Sequence, residues 1–149
     1  MTEVLFYHLE KQPLERVLPQ LVTKTRERGW RAVIQAGSEE RVEAISAALW
    51  TTGEESFLPH GTVRDGNAGL QPVWITDHEE NPNGANVRFL VDSARTSDVG
   101  GFERIVYLFD GRDAEAVEEA RGLWKTMKAA GHAVTYWRED PQGVWRKQA

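Results

Sequence analysis

The chain has 149 residues, 40% of them hydrophobic and 28% charged, with no cysteine; that length and apolar content suit one globular domain with its own core and argue against disorder. A formal net charge of -5 and a pI near 5.4 speak against a general nucleic-acid binder, which requires a broad positive field, so any anion site has to be local. Without cysteine there are no disulfides, thiolate metal ligands or cysteine nucleophiles. No basic leader precedes EVLFYHL and no apolar run is long enough to span a bilayer, so the expectation is a soluble cytoplasmic protein.

EVLFYHL at the N-terminus reads as a strand, and Pro13 opens the helix that follows, with Leu14, Val17, Leu18, Leu21 and Val22 at helical spacing. Pro19 inside that pattern costs a backbone hydrogen bond, and Gly29 closes the helix. RAVIQA predicts a buried strand, Gly37 and Ser38 a turn and cap, and EERVEAISAALW a helix burying Val42, Ile45 and Leu49. The middle is rich in glycine and proline. Its two short runs, PVWIT and VRFLVD, flank the turn-prone DHEENPNGAN and predict a hairpin or a pair of irregularly connected strands. RIVYLFD then gives an apolar strand, residues 111–131 a helix, and HAVTYW another strand, before a short polar tail from about residue 138. Helices alternating with apolar strands predict a single α/β domain, residues 1–149, with a mostly parallel twisted sheet and helices on both faces.

Such a Rossmann-like arrangement places nucleotide sites at the carboxyl ends of strands, yet no turn here has the necessary sequence. YHLEKQPLE has no glycine for close approach to a pyrophosphate, no P-loop or GxGxxG follows any strand, and AGSEER sets two glutamates where a phosphate would sit. No cofactor is expected. FDGRD places Asp110 and Asp113 at a strand end, where a magnesium ion or an acid/base pair would suit a small metal- or nucleotide-dependent enzyme. An ordinary turn and N-cap, with Gly111 bending the chain, explains the same residues. The histidines, at 8, 60, 78 and 132, show no ligand spacing, Ser56 with His60 lacks the GxSxG context, and Trp30, Trp50 and Trp74 read as core. No catalytic or metal-binding residue emerges.

The last helix carries two stripes. Ala116, Ala120, Leu123, Met127 and Ala130 are spaced to face the sheet, while Val117, Arg121, Trp124, Lys125 and Lys128 fall on adjacent rows and form an apolar flank bordered by cations. Acids early and bases late also complement a helix dipole. An aromatic among cations suits an acidic, hydrophobic peptide better than a solvated face would.

Six short segments then stand in order along nearly the whole chain: LW at 49–50, SFLPHG at 56–61, QPV at 71–73, FDG at 109–111, ARGLW at 120–124 and YW at 136–137. Together they resemble the chi subunit of bacterial DNA polymerase III holoenzyme. The resemblance implies a non-catalytic clamp-loader accessory protein for DNA replication, with a nucleotide-binding-like fold that holds no nucleotide. It also implies a link from the clamp loader, through the psi subunit, to single-stranded DNA-binding protein, whose acidic C-terminal tail ends in phenylalanine. By motif, Arg121, Trp124, Lys125 and Lys128 would receive that tail, with Val117 and Phe109 as pocket walls. DNA would be contacted indirectly, through partners. Trp50, Phe57, Leu58 and Pro59 would form the psi contact, although the same residues also suit a core. Trp124 stands where tyrosine can occur in that family. Trp145, with Arg146 and Lys147, either extends the basic surface or folds back onto the domain.

Overall fold

The computed structural model describes residues 2–51, 59–96 and 99–148. Strand β1 (Glu3–Leu9) leads to α1 (Leu14–Glu27), β2 (Ala32–Gln35) and α2 (Glu39–Thr51). Strands β3 (Val73–Thr76), β4 (Val87–Leu90) and β5 (Arg104–Asp110) follow, then α3 (Ala114–Ala129), β6 (Ala133–Glu139) and β7 (Trp145–Lys147). The seven strands form one sheet in the order β3-β2-β4-β5-β1-β6-β7, parallel throughout except for the antiparallel β6–β7 pair.

The local sequence explains the helix ends. Helix α1 starts after Pro13 and continues through Pro19, which is buried in its interior. It ends at Gly29, whose φ of 78° is open to glycine and strained for other residues. The Gly29 and Trp30 amides then bond the Arg26 and Thr25 carbonyls at 2.9 and 3.3 Å, the pairing of a Schellman cap.

Alternation along β1 divides the core into two layers. Leu5 and Leu9 join Val17, Leu18 and Val22 of α1 and Val42, Ile45 and Leu49 of α2 on one face. Val4 and Phe6 join Ala120 and Met127 of α3 on the other. Phe6 and Ile105 are wholly buried, and each such side chain contributes about 1.5–3 kcal/mol. Helices therefore cover both faces, as the alternating pattern predicts.

Two segments refine the reading of the sequence. Of the two alternatives for PVWIT and VRFLVD, the hairpin does not form and the strands are irregularly connected: β3 and β4 lie on opposite sides of β2, each parallel to it. The polar tail is also partly strand. Arg138 and Glu139 end β6, and β7 turns back beside it so that Trp145 sits edge-on to Tyr7, with ring centroids 5.0 Å apart.

Neighbouring strands β1 and β5 send their chains to opposite faces, β1 into α1 and β5 into α3. Their carboxyl ends therefore open a cleft of about 330 Å³, lined by Glu15, Arg41, Asp92, Asp110, Arg112 and Asp113 among others.

Candidate functional site

Helix α3 is fixed at both ends. The Asp113 carboxylate accepts the Glu115 and Ala116 amides at 3.0 and 3.4 Å, and Gly131, with φ 88°, ends the helix. Ala120 and Met127 are buried against the sheet, Ala116 and Leu123 are half-buried, and Ala130 is the exposed C-cap rather than a sheet contact. The inner stripe thus ends one turn earlier than its spacing predicts.

The adjacent flank carries Val117, Arg121, Trp124, Lys125 and Lys128. Val117 and Trp124 are half-buried, and the three cations are exposed. The Trp124 ring meets Phe6 at 6.0 Å and Tyr136 at 6.1 Å between centroids, both in edge geometry, so strands β1 and β6 fix its orientation. Lys128 Nζ stands 5.7 Å from the centroid of the same ring, a cation–π contact worth about 0.5–1 kcal/mol at an exposed site. Among the described residues, Arg121, Lys125 and Lys128 enter no salt bridge and no side-chain hydrogen bond. Elsewhere on α3, Glu119 holds Arg95 at 3.1 Å. The three cations stand together without acidic partners, a clustering that dipole complementarity alone does not require.

Phe109 stands at the end of β5, 5.3 Å from the His8 ring and 6.0 Å from Tyr136. His8 is 6% exposed. Its Nδ1 lies 2.5 Å from the Tyr136 hydroxyl. Its Nε2 lies 2.8 Å from Glu10 Oε1, a close approach without the alignment of a full hydrogen bond. Burial, and then the charges of Arg138 and Arg121, hold the His8 pKa below its ordinary value against the pull of Glu10, which keeps the ring neutral at pH 7. Burial raises the Tyr136 pKa, so its phenol stays protonated beside Nδ1. Gly111 lies against the other side of the imidazole: a Cβ there would come within 2.1 Å of His8 Cδ2 and Nε2. The glycine in FDG thus makes room for a ring as well as serving the turn.

Spacing in the sequence assigns no site role to His8, Glu10, Tyr136 or Arg138. The available signal was alternation: His8 shares the face of Val4 and Phe6, and Arg138 shares that of Tyr136.

The carboxylates of FDGRD serve the turn. Asp110 accepts the Arg112 amide at 2.9 Å, and that bond together with the Arg112 guanidinium lowers its pKa; Asp113 caps α3. Among the described residues, no group of three or more His, Asp or Glu side chains is placed to hold a metal ion. Trp50, read as core beside Trp30 and Trp74, is instead 50% exposed, while Trp74 is buried. The Trp50 ring centroid is 4.4 Å from that of His60, and Pro59 is exposed; Phe57 and Leu58 lie outside the described residues.

Residues 1–135 match the family model described as DNA polymerase III chi subunit, HolC. The chain belongs to the DNA polymerase III chi subunit family. A "Probable DNA polymerase III subunit chi" of Rickettsia prowazekii (strain Madrid E) is 27% identical over 159 residues, an alignment covering 100% of this chain and 93% of the relative. The chi subunit is a non-catalytic accessory subunit of DNA replication, and its partners are those of the polymerase III holoenzyme. Among the described residues no helix is long and apolar enough to cross a membrane.

Proposed function

We propose that this chi-family chain tethers the clamp loader to single-stranded DNA-binding protein in the cytoplasm by capturing that protein's acidic C-terminal tail on the outer flank of α3. The observation that carries the reading is the cluster of unpaired Arg121, Lys125 and Lys128 around Trp124 in a chain of net charge -5. Arg121 offers a planar fork to a carboxylate, and the lysines offer point charges to the acids preceding it. Trp124, Val117 and Phe109 supply the apolar wall for a terminal aromatic ring. Binding of this kind combines a salt-sensitive electrostatic part with a less sensitive apolar part.

Isothermal titration with a synthetic peptide of aspartate and glutamate residues ending in phenylalanine tests the reading at low and moderate salt. The expected result is binding that weakens as salt rises and is lost in the Arg121→Ala, Lys125→Ala double variant. Absence of binding to the wild type, or equal binding by the double variant, would overturn it. The second contact, to the psi subunit or another clamp-loader component, falls in this reading to Trp50, Phe57, Leu58 and Pro59. The exposed Trp50 and Pro59 support that assignment.

A further inference from the structure

We propose that the anion-receiving surface continues from α3 onto β6, with Arg138 as a further carboxylate-binding guanidinium, held by Glu10 until a carboxylate of the incoming tail displaces it. The proposal rests on the tail-binding reading above and adds a residue beyond the α3 set. The match to the chi model ends at residue 135, before both Tyr136 and Arg138.

Strand pairing creates the continuity. Phe6 is in register with Tyr136 and His8 with Arg138, so these side chains share the face that α3 packs against. Contacts then run unbroken across that face. Lys128 stands over Trp124, Trp124 meets Tyr136, and the Tyr136 hydroxyl meets His8. His8 meets Glu10, and Glu10 meets Arg138. Both Arg121 and Arg138 act electrostatically on His8 and on Tyr136, so the two guanidiniums neighbour the same pair of rings. A tail with several carboxylates ahead of its terminal aromatic can engage both.

Glu10 is suited to letting go. The Arg138 side chain is 50% exposed and that of Glu10 is 29% exposed, so their ion pair is partly in water. Exposed pairs of this kind favour their partners by at most a factor of about five. The Glu10 carboxylate is open to water on one side and is left to that solvent when Arg138 exchanges one carboxylate for another.

The test titrates the same peptide into wild type, Glu10→Gln, Arg138→Gln and the Arg121→Ala, Lys125→Ala double variant, each checked for a native circular dichroism spectrum and a cooperative melt. Removing the competing carboxylate in Glu10→Gln is expected to tighten binding about threefold, and Arg138→Gln to weaken it about fivefold and reduce its salt dependence. Wild-type binding that is lost in the α3 double variant but unchanged, in both affinity and salt slope, in Glu10→Gln and Arg138→Gln would overturn this extension and leave the α3 site standing. Absence of wild-type binding would overturn both. Should Arg138→Gln fail to fold, the change in affinity on Glu10→Gln decides the matter, since a purely structural role for the pair would leave peptide binding unmoved.

Discussion

Gly111→Ala isolates one contact on which the geometry beneath α3 depends. The added methyl would lie 2.1 Å from His8 Cδ2 and Nε2, whereas carbon atoms rest about 3.5–4.0 Å apart. The ring would have to retreat by roughly 1.5 Å, and it is held on its far side by the 2.5 Å contact of Nδ1 with the Tyr136 hydroxyl. Gly111 is not among the glycines with positive φ, so the backbone itself tolerates alanine and the ring contact is the source of the cost. Overpacking costs about 1–3 kcal/mol, and losing the buried hydrogen bond adds about 0.5–1.5 kcal/mol. Together they predict about 2–4 kcal/mol, a fall in Tm of roughly 6–12 °C for a chain of this size. Thermal and urea unfolding of the variant measure that loss. Repeating them in a His8→Ala background, where the methyl has space, should bring the cost of Gly111→Ala below about 1 kcal/mol, leaving the difference as a coupling energy. Equal losses in the two backgrounds would refute the proposed packing.

Two further outcomes follow from the same region. Asp113→Ala removes the cap of α3 and is expected to cost about 1 kcal/mol by urea denaturation, with Asp113→Asn retaining most of the stability; a neutral alanine variant would show that the cap contributes nothing. His8 has a folded-state pKa below its unfolded value, so the unfolded chain binds the extra proton first and stability falls as pH drops below about 6.5. The wild type should therefore lose more Tm than His8→Gln between pH 7.5 and 5.5, the other histidines cancelling in the comparison, and parallel losses would contradict a neutral His8.

Elements with strong local pattern were legible in the sequence: β1 and β5 as apolar runs, α1 and α3 by helical spacing, and the ends of α1 by Pro13 and Gly29. The order of the strands was not. Parallel neighbours are joined by long crossovers that leave no local turn signal, and the turn-prone residues between β3 and β4 suit a hairpin as well as the irregular connection across β2 that the chain makes. Strand β7 is three residues long, too short for alternation to register. Trp50 lies beside an apolar run that suits either core or an exposed contact patch; successive helical positions lie on different faces, and Leu49 occupies the inward one. The same contrast holds for the site. The α3 flank is one helix and could be read from spacing, whereas His8 and Tyr136 are 128 positions apart and meet only because β1 pairs with β6.

The cleft at the strand ends is poorly suited to an anion, which favours the proposed receptor on the flank of α3. Doubly wound sheets bind phosphates at the crevice where strand connections diverge, using free amides at a helix N-terminus and glycines that let backbone approach the ligand. Here the donors around that crevice are already taken. The Asp113 carboxylate takes the first amides of α3, Asp110 takes the Arg112 amide, and Asp92 and Glu15 hold Arg41 at 2.9 and 3.4 Å. Helix α1 begins at Pro13, without a glycine loop. A phosphate entering the cleft would meet four carboxylates, and its two guanidiniums, those of Arg41 and Arg112, already have acidic partners. Arg121, Lys125 and Lys128, by contrast, stand without acidic partners on the outer flank of α3, beside an aromatic ring oriented by β1 and β6, which favours the proposed acidic-peptide receptor there over a phosphate site in the cleft.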